Sequence, residues 1–240
     1  MIRLFVISLA LLLSHSLALA ETLTLAAGAG YKRPVTEIIK AYESSGGSKI
    51  DQIFGNMGQV VMQTKGSGSV AFVVGEQAFL KSSDLSFASY HQLGQGVLVI
   101  AYGKKIALKQ QDDLLTPQVT KIAVPDEKRA IYGKAAREFL RKTGLMDKLE
   151  KKLLVVGTVP QVSAYVIGGE VEAGFINLTD ALYVKDRIGG YLVPDKATYS
   201  PINIVLGVLK GYEDREDTKK FVDFVKTNPA VKEIIKKSGL

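Results

Sequence analysis

LTLAAGAGYKRPVTEIIKAY, residues 23–42, is the stretch of sequence that decides the fold. It opens with an apolar run that predicts a strand over 23–26, and a glycine-rich turn follows at 27–31. Pro34 then falls in the first turn of a predicted helix, where its missing N–H costs nothing. That helix carries apolar side chains at helical spacing: Val35, Ile38, Ile39 and Tyr42. A strand that enters a helix through a tight turn is the repeating unit of an α/β protein.

The rest of the chain continues this alternation of short apolar strands and amphipathic helices. We predict further strands at 49–54, 70–74, 96–102, 121–124, 153–156, 173–177 and 202–209, with helices beginning at Val60 and covering 130–143, 160–167 and much of 219–239. Such alternation favours an α/β fold with largely parallel sheets.

The composition excludes several classes of function. The 240 residues include 31 Lys and Arg, 24 Asp and Glu, two His and no Cys. Without cysteine the chain has no disulfide, no thiolate nucleophile and no Cys-type zinc site. Two histidines disfavour a His-rich metal site, and no G-x-S-x-G turn accompanies His91. We therefore expect no metal, no cofactor and no enzyme activity.

Residues 1–20 have the pattern of a secretory signal peptide. A short basic start precedes an apolar run at 4–13, and Ala18-Leu19-Ala20 supplies small residues at the expected cleavage site. The run is too short to span a bilayer comfortably. We predict cleavage after Ala20 and a periplasmic protein. No stretch interleaves aromatic with basic residues, so nucleic acid is not an expected partner.

Four loops are the candidate functional region: residues 28–31, 55–58, 126–132 and 157–161. Each follows a predicted strand and precedes a predicted helix. In open α/β sheets, ligands bind beyond the carboxyl ends of the strands. Free N–H groups and the dipole at a helix start attract anions. The loops together predict an anion-binding site.

The order of the motifs resembles the periplasmic molybdate- and tungstate-binding proteins of ABC importers. The resemblance rests on LTLAAGAGYKRPVTEI, FGNMGQVV, VAFVVGE, LGQGVLVIAYGK, IAVPDEKRAIYGKAAREFL, TVPQVSAYVIGGEVEAGFIN and KEIIKKSGL. It implies a class II periplasmic binding-protein fold, an α/β fold of two lobes with mixed sheets flanked by helices. Lobe I would comprise residues 21–102 and 200–240, and lobe II residues 103–199. Two crossing strands would join the lobes near Tyr102 and Ser200.

The resemblance also implies a function and a set of ligand contacts. A monomer would bind molybdate or tungstate in the interlobe cleft and dock on a membrane permease. Where the family has serines in the first two loops, this chain has Gly30 and one of Asn56, Met57 or Gly58; Asn177 replaces a family tyrosine. The expected ligand-binding residues are Gly28, Gly30, Tyr31, Asn56, Met57, Gly58, Arg129, Tyr132, Val159, Gln161 and Asn177.

Two alternatives stay open from the sequence. One is a binder of an organic or phosphorylated anion on the same fold, which Lys32, Arg33 and Arg129 would suit. The other is a surface adhesin or colonisation factor.

Overall fold

The computed structural model describes residues 22–240, so the predicted signal peptide lies outside the described residues. The described chain forms two five-stranded sheets flanked by helices. Both sheets are mixed, as the family resemblance implies, whereas the alternation of strands and helices alone favours largely parallel ones. In each sheet three strands run parallel to one another, and two more pair antiparallel at one side.

The first sheet contains strands from both ends of the described chain. In spatial order it consists of β2 (Ile50–Gly55), β1 (Leu23–Gly28), β3 (Val70–Glu76), β10 (Ile202–Leu209) and β4 (Phe87–Gly96). β1 runs parallel to β2 and β3, whereas β10 runs antiparallel to β3 and β4. The central strand β3 is buried along its whole length.

The second sheet is built from one continuous segment. Its spatial order is β7 (Leu153–Val156), β6 (Ile122–Pro125), β8 (Ala173–Asn177), β5 (Leu98–Tyr102) and β9 (Gly190–Leu192). β6 runs parallel to β7 and β8, and β5 runs antiparallel to β8 and β9.

Helices cover the two sheets. Those of the first are α1 (Lys32–Ser44), α2 (Met57–Gly66), α3 (Gln77–Ser82), α8 (Glu216–Thr227) and α9 (Pro229–Lys237); those of the second are α4 (Ile131–Lys142), α5 (Met146–Leu149), α6 (Val159–Gly168) and α7 (Leu178–Val184). We call each sheet with its helices the first or the second lobe. Short 3₁₀ turns occur at Ala29–Tyr31, Gln111–Leu115, Glu150–Lys152 and Lys196–Thr198.

The apolar face predicted for α1 is the face that packs into the core. Val35, Ile38, Ile39 and Tyr42 are all buried. The Tyr42 ring meets Phe221 of α8 edge-on, with ring centroids 5.0 Å apart. This contact joins the N-terminal and C-terminal helices of the first lobe. No helix within residues 22–240 is long and apolar enough to cross a membrane.

The chain crosses between the lobes twice. It leaves the first sheet at Gly96 and enters the second at Leu98, and it returns between β9 and β10, where Ser200 lies. Tyr102, where the sequence analysis expects the first crossing, is the last residue of β5 and lies in the second sheet. The stretch predicted as one strand over 96–102 is thus divided at Val97.

Candidate ligand-binding cleft

A narrow cleft separates the lobes where the four predicted loops meet. Its lining residues come from the ends of β1, β2, β6 and β7 and the helix starts that follow: Gly28, Ala29, Gly30, Tyr31, Gly55, Asn56, Met57, Ala130, Ile131, Tyr132, Thr158 and Val159. The centre of a water molecule can occupy about 30 Å³ of it. Since one water needs about 10–15 Å³ by this measure, the cleft has room for one small ligand.

Backbone N–H groups without acceptors face each other across this cleft. The first N–H groups of a helix have no partner within the helix. Among residues 22–240 no acceptor is found for several of them, all on cleft-lining residues: Gly30, Met57, Ile131, Tyr132 and Val159. Donors from both lobes therefore converge on one small volume, together with the positive ends of α2, α4 and α6.

The lining side chains carry no formal charge. Arg33 lies in the first turn of α1, but its guanidinium is paired with Asp180 at 2.9 Å. Lys32 is exposed, with its ammonium 5.7 Å from the centre of the Phe54 ring. Arg129 is exposed too, and its backbone carbonyl accepts a hydrogen bond from Gly58 N–H at 3.3 Å. An anion in the cleft would be held by neutral donors and helix dipoles.

Two buried tyrosines meet at the cleft, one from each lobe. The hydroxyls of Tyr31 and Tyr132 are 2.5 Å apart, and each side chain is only 2% exposed. Burial and the neighbouring Tyr132 raise the pKa of Tyr31 well above its ordinary value, and burial likewise raises the pKa of Tyr132. Both hydroxyls therefore stay protonated at neutral pH. Their mutual hydrogen bond uses one of the two protons, so the pair retains one proton to donate.

Asn56 acts on the cleft through the start of α2. Its side-chain oxygen accepts from Gln59 N–H at 2.9 Å, and the Gln59 side chain accepts from Asn56 N–H at 3.0 Å. This reciprocal capping box fixes the first turn of α2 and leaves Met57 N–H directed out of the helix end. Thr158 caps α6 with its hydroxyl oxygen, which accepts from Gln161 N–H at 3.3 Å.

Asn177 fills the space beside the first loop. It is fully buried, and its amide nitrogen donates to the Gly30 carbonyl at 3.0 Å. A Cβ at position 30 would lie 3.1 Å from that nitrogen. The amide from the second lobe thus takes up the room that a side chain at residue 30 would need, which explains why glycine and asparagine occur together.

The structure brings most of the predicted residues to the cleft, but not all of them. Gly28, Gly30, Tyr31, Asn56, Met57, Tyr132 and Val159 line it. Gly58 and Arg129 form the backbone bridge beside it, Asn177 lies behind Gly30, and the Gln161 side chain turns back to accept from Gly157 N–H at 2.9 Å.

Sequence reasoning overlooked five lining residues: Ala29, Gly55, Ala130, Ile131 and Thr158. Each lies inside one of the four predicted loops. Their contribution is steric or comes from the backbone, apart from the capping hydroxyl of Thr158, so their side chains gave little sign of it. Only the loop position could have indicated them. No group of three or more His, Cys, Asp or Glu side chains that could hold a metal ion occurs within residues 22–240.

Almost the whole described chain matches a protein family. A model of the bacterial extracellular solute-binding protein family covers residues 23–240. The chain belongs to this family.

Named relatives and solved structures resemble this solute-binding protein along most of its length. ModA, a molybdate-binding protein of Rhodobacter capsulatus, is 28% identical over 97% of this chain and 93% of its own. The periplasmic molybdate-binding protein of Azotobacter vinelandii has a TM-score of 0.81 at 20% identity, covering 90% of this chain and 97% of that one. PEB3 of Campylobacter jejuni, solved with L-phospholactate, has a TM-score of 0.72 at 16% identity, covering 90% of this chain and 98% of that one. The expected class II binding-protein fold is confirmed.

The lobes of this solute-binding protein are in direct contact around the cleft. Side-chain bonds join Tyr31 to Tyr132 and Asn177 to Gly30, and the ion pair of Arg33 with Asp180 lies beyond them. The backbone bond from Gly58 to Arg129 joins the lobes at a further point. The structure is therefore a closed arrangement of the two lobes.

Proposed function

We propose that this solute-binding protein binds a small tetrahedral oxyanion, molybdate or tungstate, in the interlobe cleft and delivers it to the membrane permease of an ABC importer. The observation that carries the proposal is the convergence of free N–H groups from both lobes on a cleft lined by uncharged residues. We infer a periplasmic monomer that binds its ligand without chemical change. The ModA relative supports this ligand class.

The size of the cleft favours a compact anion over an organic one. Its volume suits a single oxyanion, whereas a phosphorylated organic acid would need room for its carbon chain as well. The cations that would suit such a ligand are occupied elsewhere or exposed, since Arg33 pairs with Asp180 and Arg129 faces solvent.

The cleft offers donors and lacks a free carboxylate to accept a proton. Asp126 accepts from the backbone N–H groups of Lys128 and Arg129, and Glu127 pairs with Arg137 and Arg141. Such a site suits a fully deprotonated dianion. Phosphate near pH 7 keeps a proton, which would face a donor and leave it unpaired, at a cost of about 1–3 kcal/mol.

Competition calorimetry with purified protein tests the proposal. We expect tungstate and molybdate to bind with similar affinity, sulfate much more weakly because its shorter bonds stretch the hydrogen bonds, and phosphate more weakly still. Phosphate binding as tight as molybdate, or a phosphorylated organic acid binding more tightly, would contradict it.

A backbone substitution tests the N–H donors themselves. Proline is tolerated at the first position of a helix, so Val159→Pro should keep α6 and delete one donor. Since a hydrogen bond to a charged group contributes about 1.5–3 kcal/mol, we expect molybdate to bind at least tenfold more weakly. The matched control is Glu216→Pro, at the first position of α8 and away from the cleft. Equal affinity in both variants would remove Val159 from the site.

A further inference from the structure

An ion pair between the lobes lies outside the cleft lining. Arg33 of α1 belongs to the first lobe and Asp180 of α7 to the second, and the guanidinium lies 2.9 Å from the carboxylate. The Asp180 side chain is only 3% exposed, whereas that of Arg33 is 38% exposed. Arg33 also stacks on the Tyr183 ring of α7, with its guanidinium carbon 2.8 Å from the ring centre.

The acidic half of this pair is held in place by its own lobe. The other carboxylate oxygen of Asp180 accepts a hydrogen bond from the Ser163 hydroxyl of α6. Asp180 N–H donates to the side chain of Asn177, which caps α7. A carboxylate in the first turn of a helix is also stabilised by the helix dipole. Asp180 is therefore oriented without Arg33, and closing the lobes needs only the arrival of the guanidinium.

The basic half, in contrast, is placed against its local preference. Arg33 lies in the first turn of α1, where no acidic residue occurs and where the positive end of the helix dipole disfavours a cation. The second lobe supplies the compensating charge and the stacking ring. A residue that conflicts with its local environment and is satisfied only by a distant contact often marks a functional site.

We propose that Arg33, Asp180 and Ser163 form an interlobe latch that favours the closed form and slows the release of the bound anion. These are positioning residues, because they act through the lobe arrangement and do not line the cleft. The latch rests on the proposed oxyanion function, but its effect on the lobes also exists without ligand.

The first test measures molybdate kinetics in Arg33→Leu. We expect the dissociation rate to rise about tenfold with little change in the association rate, equivalent to about 1.4 kcal/mol of affinity. The matched control is Arg187→Leu, because Arg187 is exposed, lies 5.9 Å from the same Tyr183 ring and makes no ion pair with the first lobe among the described residues. Ser163→Ala should give an intermediate increase, and it remains available if Arg33→Leu fails to fold.

The second test needs no ligand and separates the latch from the proposed function. Because the chain has no cysteine, Met62→Cys in α2 and Ala164→Cys in α6 place one spin label on each lobe at exposed positions. We expect Arg33→Leu to shift the interlobe distances of the ligand-free protein towards longer values, and Arg187→Leu to leave them unchanged. A wild-type protein that ignores molybdate would overturn the function while leaving this test intact.

Two results would overturn the latch. One is an Arg33→Leu protein that melts at a lower temperature but keeps the wild-type dissociation rate and interlobe distances, which would make the pair a permanent clamp present in open and closed forms. The other is an equal effect of Arg187→Leu, which would reduce Arg33 to a general surface charge.

Discussion

At the scale of single residues, Gly96 ties the crossing between the lobes to the cleft. It ends β4, and it faces the hydroxyl pair of Tyr31 and Tyr132. A methyl group there would overlap the Tyr132 hydroxyl and lie 2.9 Å from that of Tyr31. The absence of a side chain at residue 96 thus allows the two tyrosines to meet.

We expect Gly96→Ala to separate the hydroxyl pair and weaken molybdate binding by at least tenfold. A buried hydroxyl that loses its partner costs about 1–3 kcal/mol, so the free energy of unfolding should fall by a similar amount. Calorimetry and urea unfolding measure the two effects. Gly66→Ala is the control, since no atom lies within 4 Å of its added methyl. Wild-type affinity in Gly96→Ala would show that the pair is not needed for binding.

His91 predicts a pH dependence of stability that is separate from binding. Burial and the nearby Lys226 lower the pKa of His91, the one histidine within residues 22–240. Below about pH 6.5 the unfolded chain takes up this proton before the folded one does, so stability should fall as the pH drops from 6.5 through the lower folded pKa. His91→Gln should flatten this part of the urea-unfolding profile and leave molybdate affinity unchanged. An identical slope in both proteins would exclude His91 as the cause.

At the scale of elements, the N-termini of helices supply the hydrogen-bond donors of the proposed site. The capping side chain of α2 lines the cleft, whereas α9 has an equivalent cap, Asn228, whose side chain accepts from Ala230 N–H at 2.9 Å far from the cleft lining. Asparagine caps therefore occur both at the site and away from it, which allows stability and binding to be separated.

We expect Asn56→Ala and Asn228→Ala to destabilise the fold similarly, by about 1 kcal/mol, because each removes one N-cap. Only Asn56→Ala should also weaken molybdate binding, since the loosened first turn of α2 no longer directs Met57 N–H into the cleft. Thermal unfolding and calorimetry of both variants check this. Equal molybdate affinities of Asn56→Ala and Asn228→Ala would show that the Asn56 cap does not orient Met57 N–H.

The elements also show which strands and helices can be predicted from the sequence alone. The strand–turn–helix at 23–42 was predicted because its apolar spacing is unambiguous, and α1 buries the side chains named for it. β4 was not predicted. It pairs only with β10 at the edge of the sheet, and its residues show neither a continuous apolar run nor a regular alternation of polar and apolar side chains. β9 and α7 are short and were missed for the same lack of a repeating pattern.

The candidate site was predictable as four loops but not as contacts. Glycines and helix starts follow from local patterns, whereas the partners across the lobes do not. Tyr31 and Tyr132 are separated by 101 residues, and Gly30 and Asn177 by 147. The direction of the Gln161 side chain depends on Gly157 of its own loop, a choice that residue type alone does not determine.

At the scale of the whole molecule, the proposed function couples ligand binding to lobe closure. Donors of both lobes surround the cleft, so a ligand completes its hydrogen bonds only when the lobes meet. The two crossings are the covalent connections between the sheets within residues 22–240.

We expect saturating molybdate to reduce the radius of gyration in solution scattering and to raise the melting temperature. A ligand that binds only the folded state at 100 times its Kd adds about 2.7 kcal/mol to the free energy of unfolding. Sulfate at the same concentration serves as the weakly bound control. A scattering profile and melting temperature that do not respond to molybdate or tungstate would contradict cleft closure.

The position of β10 has a consequence for how the chain folds as it is made. β10 lies between β3 and β4, with Leu206 opposite both Val74 and His91, so the first sheet has a gap beside its buried central strand until residue 209 has been synthesised. The second sheet needs only residues 98–192 and is complete earlier. Pairing between strands so far apart in sequence is slow, because the loop-closure entropy must be lost before the contacts form. We therefore expect the second sheet to form before the first, and the cleft, which requires both lobes, to form only after both sheets are complete.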